Sequence, residues 1–263
     1  MTISKQVIQF QQNERYCGAC ATALRCVGRG LSDPEQLKEL HLHANTRILK
    51  RGQELHHEGQ SAKYVVIVHS GALKGYRNIA DGTQLVTNFY LPGDFLGWEA
   101  MHTGRYHGNV VALNTASVCR IAIAELLSYG AGAIERLAHV LYLATEALVR
   151  EEGWRVQIAS RGADERVAAF LLAMSSHNVS RGLSPNALAL PMSRGDIGSF
   201  LNLAIETVSR VFGRLQKEGV IKTRAGMVEV LDLARLNEVA GVAEYEQGPV
   251  FATTHPQPQP NAR

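Results

Sequence analysis

Two periods of apolar residues divide this sequence. Between Ile48 and Ile123 they come in short runs punctuated by glycine, as in the β-branched stretch Tyr64–Val65–Val66–Ile67–Val68. Asp81–Gly82 between two such runs signals a hairpin, and Leu91–Pro92–Gly93–Asp94 signals a further turn. Short strands at this spacing predict a compact all-β sandwich or barrel. From about Ala131 to Ser160 the period becomes helical. With Ile134 at position a of a heptad, Leu141 and Leu148 fall at later a positions, and Leu137, Ala144 and Ile158 at d. Such a seam predicts a helix that pairs with its own copy. The same register puts Glu151 at d and Arg155 at a. Across a two-fold seam Glu151 would face its mate, so the expectation is a weakened dimer that needs outside help to close.

Beyond this helix the pattern stays mostly helical. A helix opens at Asp164–Glu165–Arg166 and runs to about Ser176, with Val167, Phe170, Leu171 and Met174 on one face; residues 188–190 suit a short strand. The stretch from Arg194 to Arg210 opens two short amphipathic pieces. Ile197, Phe200 and Leu201 give the first its apolar face; Ala204, Val208, Val211, Phe212 and Leu215 give the second. Ser193 and Asp196 have the spacing of a helix start, and around Asn202 and Leu203 only a tight turn fits. Two helices so joined form a helix-turn-helix. Val220–Ile221–Lys222 and Met227–Val228–Glu229–Val230, flanking Ala225–Gly226, read as a two-stranded wing, and residues 232–239 as a last short helix.

Glu206, Ser209 and Arg210 occupy outward positions near the start of the second helix, where a recognition helix meets base edges. A carboxylate accepts from the cytosine amino group, and an arginine fork matches the two acceptors of guanine. Thr207 and Arg214 suit phosphates, which position without specifying. The competing reading is a solvated Glu206–Arg210 pair on an ordinary surface helix.

Composition narrows the picture only a little. In 263 residues, 46% hydrophobic and 19% charged residues are ordinary for a globular protein, and 27 Lys+Arg against 24 Asp+Glu leave a net charge of +3. Residues 1–6 lack a secretory apolar core, and no run of eighteen apolar residues could span a membrane, so the expected compartment is the cytoplasm. Ser32–Asp33–Pro34–Glu35 opens a short helix to about His41, and the proline- and glutamine-rich tail cannot build a core. No Ser/His/Asp arrangement, phosphate-cradling glycine loop or paired carboxylate signals an enzyme.

Cys17, Cys20 and Cys26 crowd the N-terminal segment, and Cys119 lies far off at the end of the β region. Cysteines in a cytoplasmic chain serve more often as ligands or reactive thiols than as disulfides. Thiolates suit zinc or an iron–sulfur cluster, and a C-x2-C-x5-C triplet with one remote cysteine fits a bulkier cluster better than two zinc knuckles. Spacing alone does not choose among a cluster, zinc and unrelated thiols.

The four cysteines, the segment Leu91–Pro92–Gly93–Asp94–Phe95–Leu96–Gly97, the helix Ala163–Asp164–Glu165–Arg166–Val167–Ala168–Ala169–Phe170 and the pattern Glu206–Thr207–Val208–Ser209–Arg210 together resemble the FNR branch of the CRP/FNR transcription regulators. The resemblance covers Cys17 to about Ala240. It implies an α+β chain with an N-terminal β-roll (jelly-roll-like) sensor domain, a long dimerisation helix and a C-terminal winged helix-turn-helix. The divisions expected are a cysteine-bearing segment (1–30), the sensor domain (31–130), the dimerisation helix (131–160), the DNA-binding domain (161–245) and a disordered tail (246–263). It further implies a [4Fe–4S] cluster on Cys17, Cys20, Cys26 and Cys119 that oxygen degrades. In that family the cluster-bearing homodimer, paired here through Ile134, Leu137, Leu141, Leu148, Glu151 and Ile158, binds double-stranded DNA with TTGAT-like half-sites and mainly activates genes of anaerobic metabolism. RNA polymerase is the further partner implied, with the Asp81–Gly82 tip as a candidate contact. A zinc- or heme-dependent regulator of the same fold, or an iron–sulfur redox protein, are the alternatives. One departure separates the chain from the cyclic-nucleotide sensors of the superfamily. The stretch Gly108–Asn109–Val110–Val111–Ala112 has no arginine to hold a phosphate, so no cyclic nucleotide is expected.

Overall fold

The computed structural model describes residues 46–128 and 133–241. The expected helix at 32–41, Cys17, Cys20, Cys26 and the proline-rich tail lie outside them.

Two four-stranded antiparallel sheets build the N-terminal half. The first has the order β1 (Thr46–Leu49), β8 (Ala116–Ala122), β3 (Tyr64–Ser70), β6 (Phe95–Leu96); the second has β2 (Glu54–His56), β7 (Asn109–Ala112), β4 (Leu73–Asn78), β5 (Gln84–Tyr90). Strand β3 explains why the apolar run reads as continuous. Val66 and Val68 face the second sheet, with Leu49, Leu73, Leu96, Val110 and Val118, while Val65 and Ile67 face the other way with Phe95 and Ile121. A strand buried on both faces loses the alternation of a half-exposed one. Each side chain so buried contributes about 1.5–3 kcal/mol. The Asp81–Gly82 tip closes the β4–β5 hairpin, with Gly82 at φ 82°, and Asp94 accepts from the Leu91 N–H at 2.7 Å to close the next turn.

Short helices α1 (Ala100–Thr103) and α2 (Ile123–Leu126) precede α3, the long helix Ala133–Ser160. Leu126 of α2 and Val140 and Leu143 of α3 cover the outer face of the first sheet. Along α3, Arg136, Val140, Leu143, Ala147, Trp154 and Gln157 are buried. Alternating steps of four and three residues put them on one stripe.

The C-terminal half comprises α4 (Ala163–Ser180), β9 (Ala187–Ala189), α5 (Arg194–Leu201), α6 (Ile205–Lys217), β10 (Ile221–Arg224), β11 (Met227–Val230) and α7 (Leu233–Ala240). Antiparallel β10, β11 and β9 form the wing sheet, whose tip Ala225–Gly226 has positive φ at both residues (46° and 81°), as a tight two-residue hairpin requires. The core of this half gathers Val167, Phe170, Ile197, Leu201, Val208, Phe212, Leu215 and Leu236, and extends through Trp154 of α3 to Val86 and Phe89 of the N-terminal half.

Candidate nucleic-acid interface and the cysteine strand

Ser193 starts α5 with a reciprocal cap: its Oγ accepts from Asp196 N–H at 3.0 Å, and the Asp196 carboxylate accepts from Ser193 N–H at 3.0 Å. Asn202, left-handed at φ 54° and ψ 51°, turns the chain into α6. Gly198 is required because a Cβ there would lie 2.6 Å from the Leu203 carbonyl oxygen. Val208, Val211, Phe212 and Leu215 seat α6 on the core. Ala204, expected on that apolar face, is instead the exposed residue preceding the helix. It lies before the first helical turn, so the helical period does not govern it.

The opposite face of α6 carries Glu206, Ser209, Arg210 and Arg214, all exposed, with Thr207 half-buried beside them. Arg210 donates to Thr207 Oγ1 at 3.1 Å, and Ser209 donates to the Ile205 carbonyl at 2.8 Å. Arg214 forms an ion pair with Asp164 of α4 at 2.7 Å. Sequence reasoning passed over three neighbours. Ile205 is 49% exposed at the first position of α6, an apolar group beside the polar readers. The Arg194 guanidinium lies 3.2 Å from the Phe212 ring centroid, and burial lowers its pKa. Arg166 donates to the Leu201 carbonyl at 3.1 Å, closing the end of α5. Only the Ile205 position was legible, as an apolar residue off the buried stripe. Burial alone would raise the Asp196 carboxyl, but hydrogen bonds from Lys74 and Ser193 outweigh it and hold the group below the usual aspartate range.

Of the four cysteines, Cys119 is described. It sits in β8 opposite Thr46 on one side and Ile67 on the other, on the face where Ile121 is buried beneath α2 and α3, and it is half-buried. Among the described residues no group of three or more His, Cys, Asp or Glu side chains could hold a metal ion. From β8 the chain enters α2, whose terminal carbonyls are held by α3: Arg136 donates to Leu126 O at 3.2 Å and to Ser128 O at 2.6 Å. Farther along, Arg150 meets the buried Asp94 carboxylate at 2.7 Å.

Ile134, Leu137, Leu141 and Leu148 of the expected seam lie on the side of α3 away from its buried stripe, whereas Glu151 and Ile158 lie at its flank. Ile134 is 80% exposed, Leu141 64%, Leu148 49% and Leu137 41%; Ile158 and Glu151 are half-buried. Glu151 reaches Arg155 at 3.9 Å. In the stretch Gly108–Ala112, Asn109 is buried; its amide accepts from Glu58 N–H and donates to the Tyr76 carbonyl.

Residues 165–239 match the Crp-like helix-turn-helix domain, and residues 46–130 the cyclic nucleotide-binding domain. Over 243 residues the chain is 32% identical to the transcriptional activator protein FnrA of Stutzerimonas stutzeri, covering 92% of this chain and 99% of that protein. The fumarate and nitrate reduction regulatory protein of Vibrio cholerae is 30% identical over 230 residues, 87% of this chain and 92% of its own. The chain belongs to the FNR branch of the CRP/FNR transcription regulators. The solved structure of FixK2 from Bradyrhizobium japonicum superposes with a TM-score of 0.68 at 28% identity, covering 75% of this chain and 98% of that one. This FNR-branch chain is thus a DNA-binding regulator rather than an enzyme, and its β-sheet half has the fold of the cyclic nucleotide-binding domain. No helix among the described residues is long and apolar enough to cross a membrane.

Proposed function

We propose that this protein is an oxygen-responsive activator of the anaerobic-response kind, working from the cytoplasm. In this reading its homodimer grips a TTGAT-type palindrome when Cys17, Cys20, Cys26 and Cys119 hold a [4Fe–4S] cluster. The single observation that carries the reading is the placement of Cys119 on β8, in register with Thr46, the first of the described residues. Four soft thiolates are a donor set suited to iron–sulfur ligation, and nineteen residues (27–45) separate Cys26 from Thr46, which pairs with Cys119. When bound, the cluster supplies iron–thiolate bonds that oxygen can break.

The chain's own residues do the rest. β8 carries Cys119 directly into α2, and Arg136 fastens the end of α2 to the first turns of α3. Order gained at Cys119 therefore biases the helix that bears Ile134, Leu137, Leu141, Leu148 and Ile158 toward its mate, against repulsion at Glu151. Pairing sets two α6 helices about one DNA turn, near 34 Å, apart. Arg210 then reads guanine, Glu206 cytosine and Ser209 a neighbouring edge, with Ile205 placed for a thymine methyl. Thr207 and Arg214 meet phosphates, Arg214 by exchanging its Asp164 partner. The exposed β4–β5 tip at Asp81–Gly82 offers a surface to RNA polymerase. With no arginine in Gly108–Ala112 to hold a phosphate, the regulator of this reading takes no cyclic nucleotide.

The test is air-free purification with iron and sulfide analysis, followed by sedimentation and a gel shift on a TTGAT palindrome before and after exposure to air. About four irons per chain, a dimer and an air-sensitive shift are expected. A colourless zinc protein, or a cluster-loaded chain that stays monomeric and ignores the palindrome, overturns the reading.

A further inference from the structure

The first helix of the DNA-reading head is gripped from outside that head. Asp196, Ser199 and Phe200 lie on one stripe of α5, at i, i+3 and i+4, and all three meet the β4–β5 hairpin or its neighbours. Lys74 of β4 approaches Asp196 Oδ1 at 2.6 Å, and the two side chains are only 15% and 17% exposed. β5 is an edge strand of its sheet. Ser199 occupies that edge as another strand would: its Oγ accepts from Val86 N–H at 2.9 Å and donates to the Gln84 carbonyl at 3.3 Å. Phe200 completes the grip, with ring centroids 5.2 Å from Phe89 of β5 and 5.1 Å from Trp154 of α3.

We propose that the β4–β5 hairpin is a docking latch for the reading head, through which Lys74 and the β5 edge hold α5 so that α6 is carried at a fixed angle to α3. Three features separate a latch from incidental packing. A hydroxyl that both accepts from Val86 and donates to Gln84 bridges the β5 edge at two backbone groups rather than touching it at one. A largely buried ion pair contributes geometry more than stability, because desolvation offsets its attraction. And only Arg161 and Gly162 separate α3 from α4, a joint at which the head would otherwise pivot. The latch removes that freedom before DNA arrives, so less ordering remains to be met on binding. The consequence for spacing rests on the dimer reading proposed above; the latch itself does not.

Lys74→Met and Ser199→Ala, singly and together in the full chain, test it. Amide hydrogen exchange is the direct readout, because the Val86 N–H donates to Ser199 Oγ on the open edge of β5, whereas β4 is laddered on both sides. Wild-type Val86 should exchange slowly, and Lys74→Met, which leaves the hydroxyl in place, should speed it about tenfold while β4 amides stay protected. Fast exchange at Val86 in the wild type, or no change in Lys74→Met, overturns the latch. On DNA, the wild-type dimer should prefer correctly spaced half-sites to the same half-sites moved two base pairs apart. The double variant should lose about tenfold of that preference, with unchanged dimer content and unchanged binding to one half-site. Preserved preference, or tighter half-site binding as expected of an inhibitory contact, overturns it as well. A wild type that ignores the palindrome altogether would sink the proposed function, and exchange at Val86 would still decide the latch.

Discussion

Arg210 leaves α6 with its guanidinium resting on Thr207 Oγ1, exposed and free to exchange that weak partner for a base. Arg210→Ala should cost about 1–3 kcal/mol of operator binding and relax preference at one base pair, read from gel shifts on single-base operator variants. Uniform weakening across all sequences would make it a phosphate contact instead. His56 makes a different kind of residue-scale prediction. It is buried against Tyr106, ring centroids 3.8 Å apart and planes 8° from parallel, and burial, outweighing a backbone contact at Gly108, lowers its pKa from 6.5 to about 4. Between those values the unfolded chain binds a proton that the folded chain refuses, so stability is full above pH 6.5 and falls as pH drops toward 4. The loss should be on the order of 3 kcal/mol across that window. Urea unfolding at stepped pH measures it, and His56→Phe should flatten the curve; an unchanged slope would clear His56. The sequence does not mark this histidine as buried, because whether an imidazole meets water is decided by strands far from it in the chain.

At the scale of the element, α3 is a helix with two stripes. One is apolar and exposed, and periodicity alone identifies it. The other mixes Arg136, Arg150 and Gln157 with its apolar members, yet it is the stripe that packs on the N-terminal sheets and, through Trp154, on α4 and α5. Its arginines are absorbed by backbone carbonyls of Leu126 and Ser128 and by the Asp94 carboxylate, partners supplied by other elements. Because Leu141 and Leu148 are exposed in the single chain, Leu141→Glu with Leu148→Glu should leave the monomer's thermal midpoint unchanged within a few degrees. Dimer association by sedimentation should fall at least about tenfold, since like charges would face each other across the seam. Glu151→Leu should act oppositely, raising dimer content without any cofactor. Its present ion pair with Arg155, at 3.9 Å and solvent-exposed, is worth too little to cancel that gain.

Over the whole molecule, the N-terminal and C-terminal halves share one aromatic cluster: Phe89 from β5, Trp154 from α3, Phe170 from α4 and Phe200 from α5. Phe200→Ala should cost about 3–5 kcal/mol and separate the unfolding transitions followed by tryptophan fluorescence and by far-ultraviolet circular dichroism. A loss below about 1 kcal/mol, with coincident transitions, would mean that the halves fold independently. Period and turn chemistry were enough, by themselves, to mark out the strand at 64–68, the hairpin at Asp81–Gly82, the long helix, the paired helices and their wing. Each rests on neighbours within a few residues: alternation across a pleat, the Ser193–Asp196 cap, the left-handed turn at Asn202. Tertiary structure alone decided which polar residues would be buried and with whom. Lys74 and Asp196 lie 122 residues apart, and Ser199 reaches Val86 across 113. A single sequence records the charge or hydroxyl at each position, while the partner that makes its burial tolerable comes from how the chain doubles back.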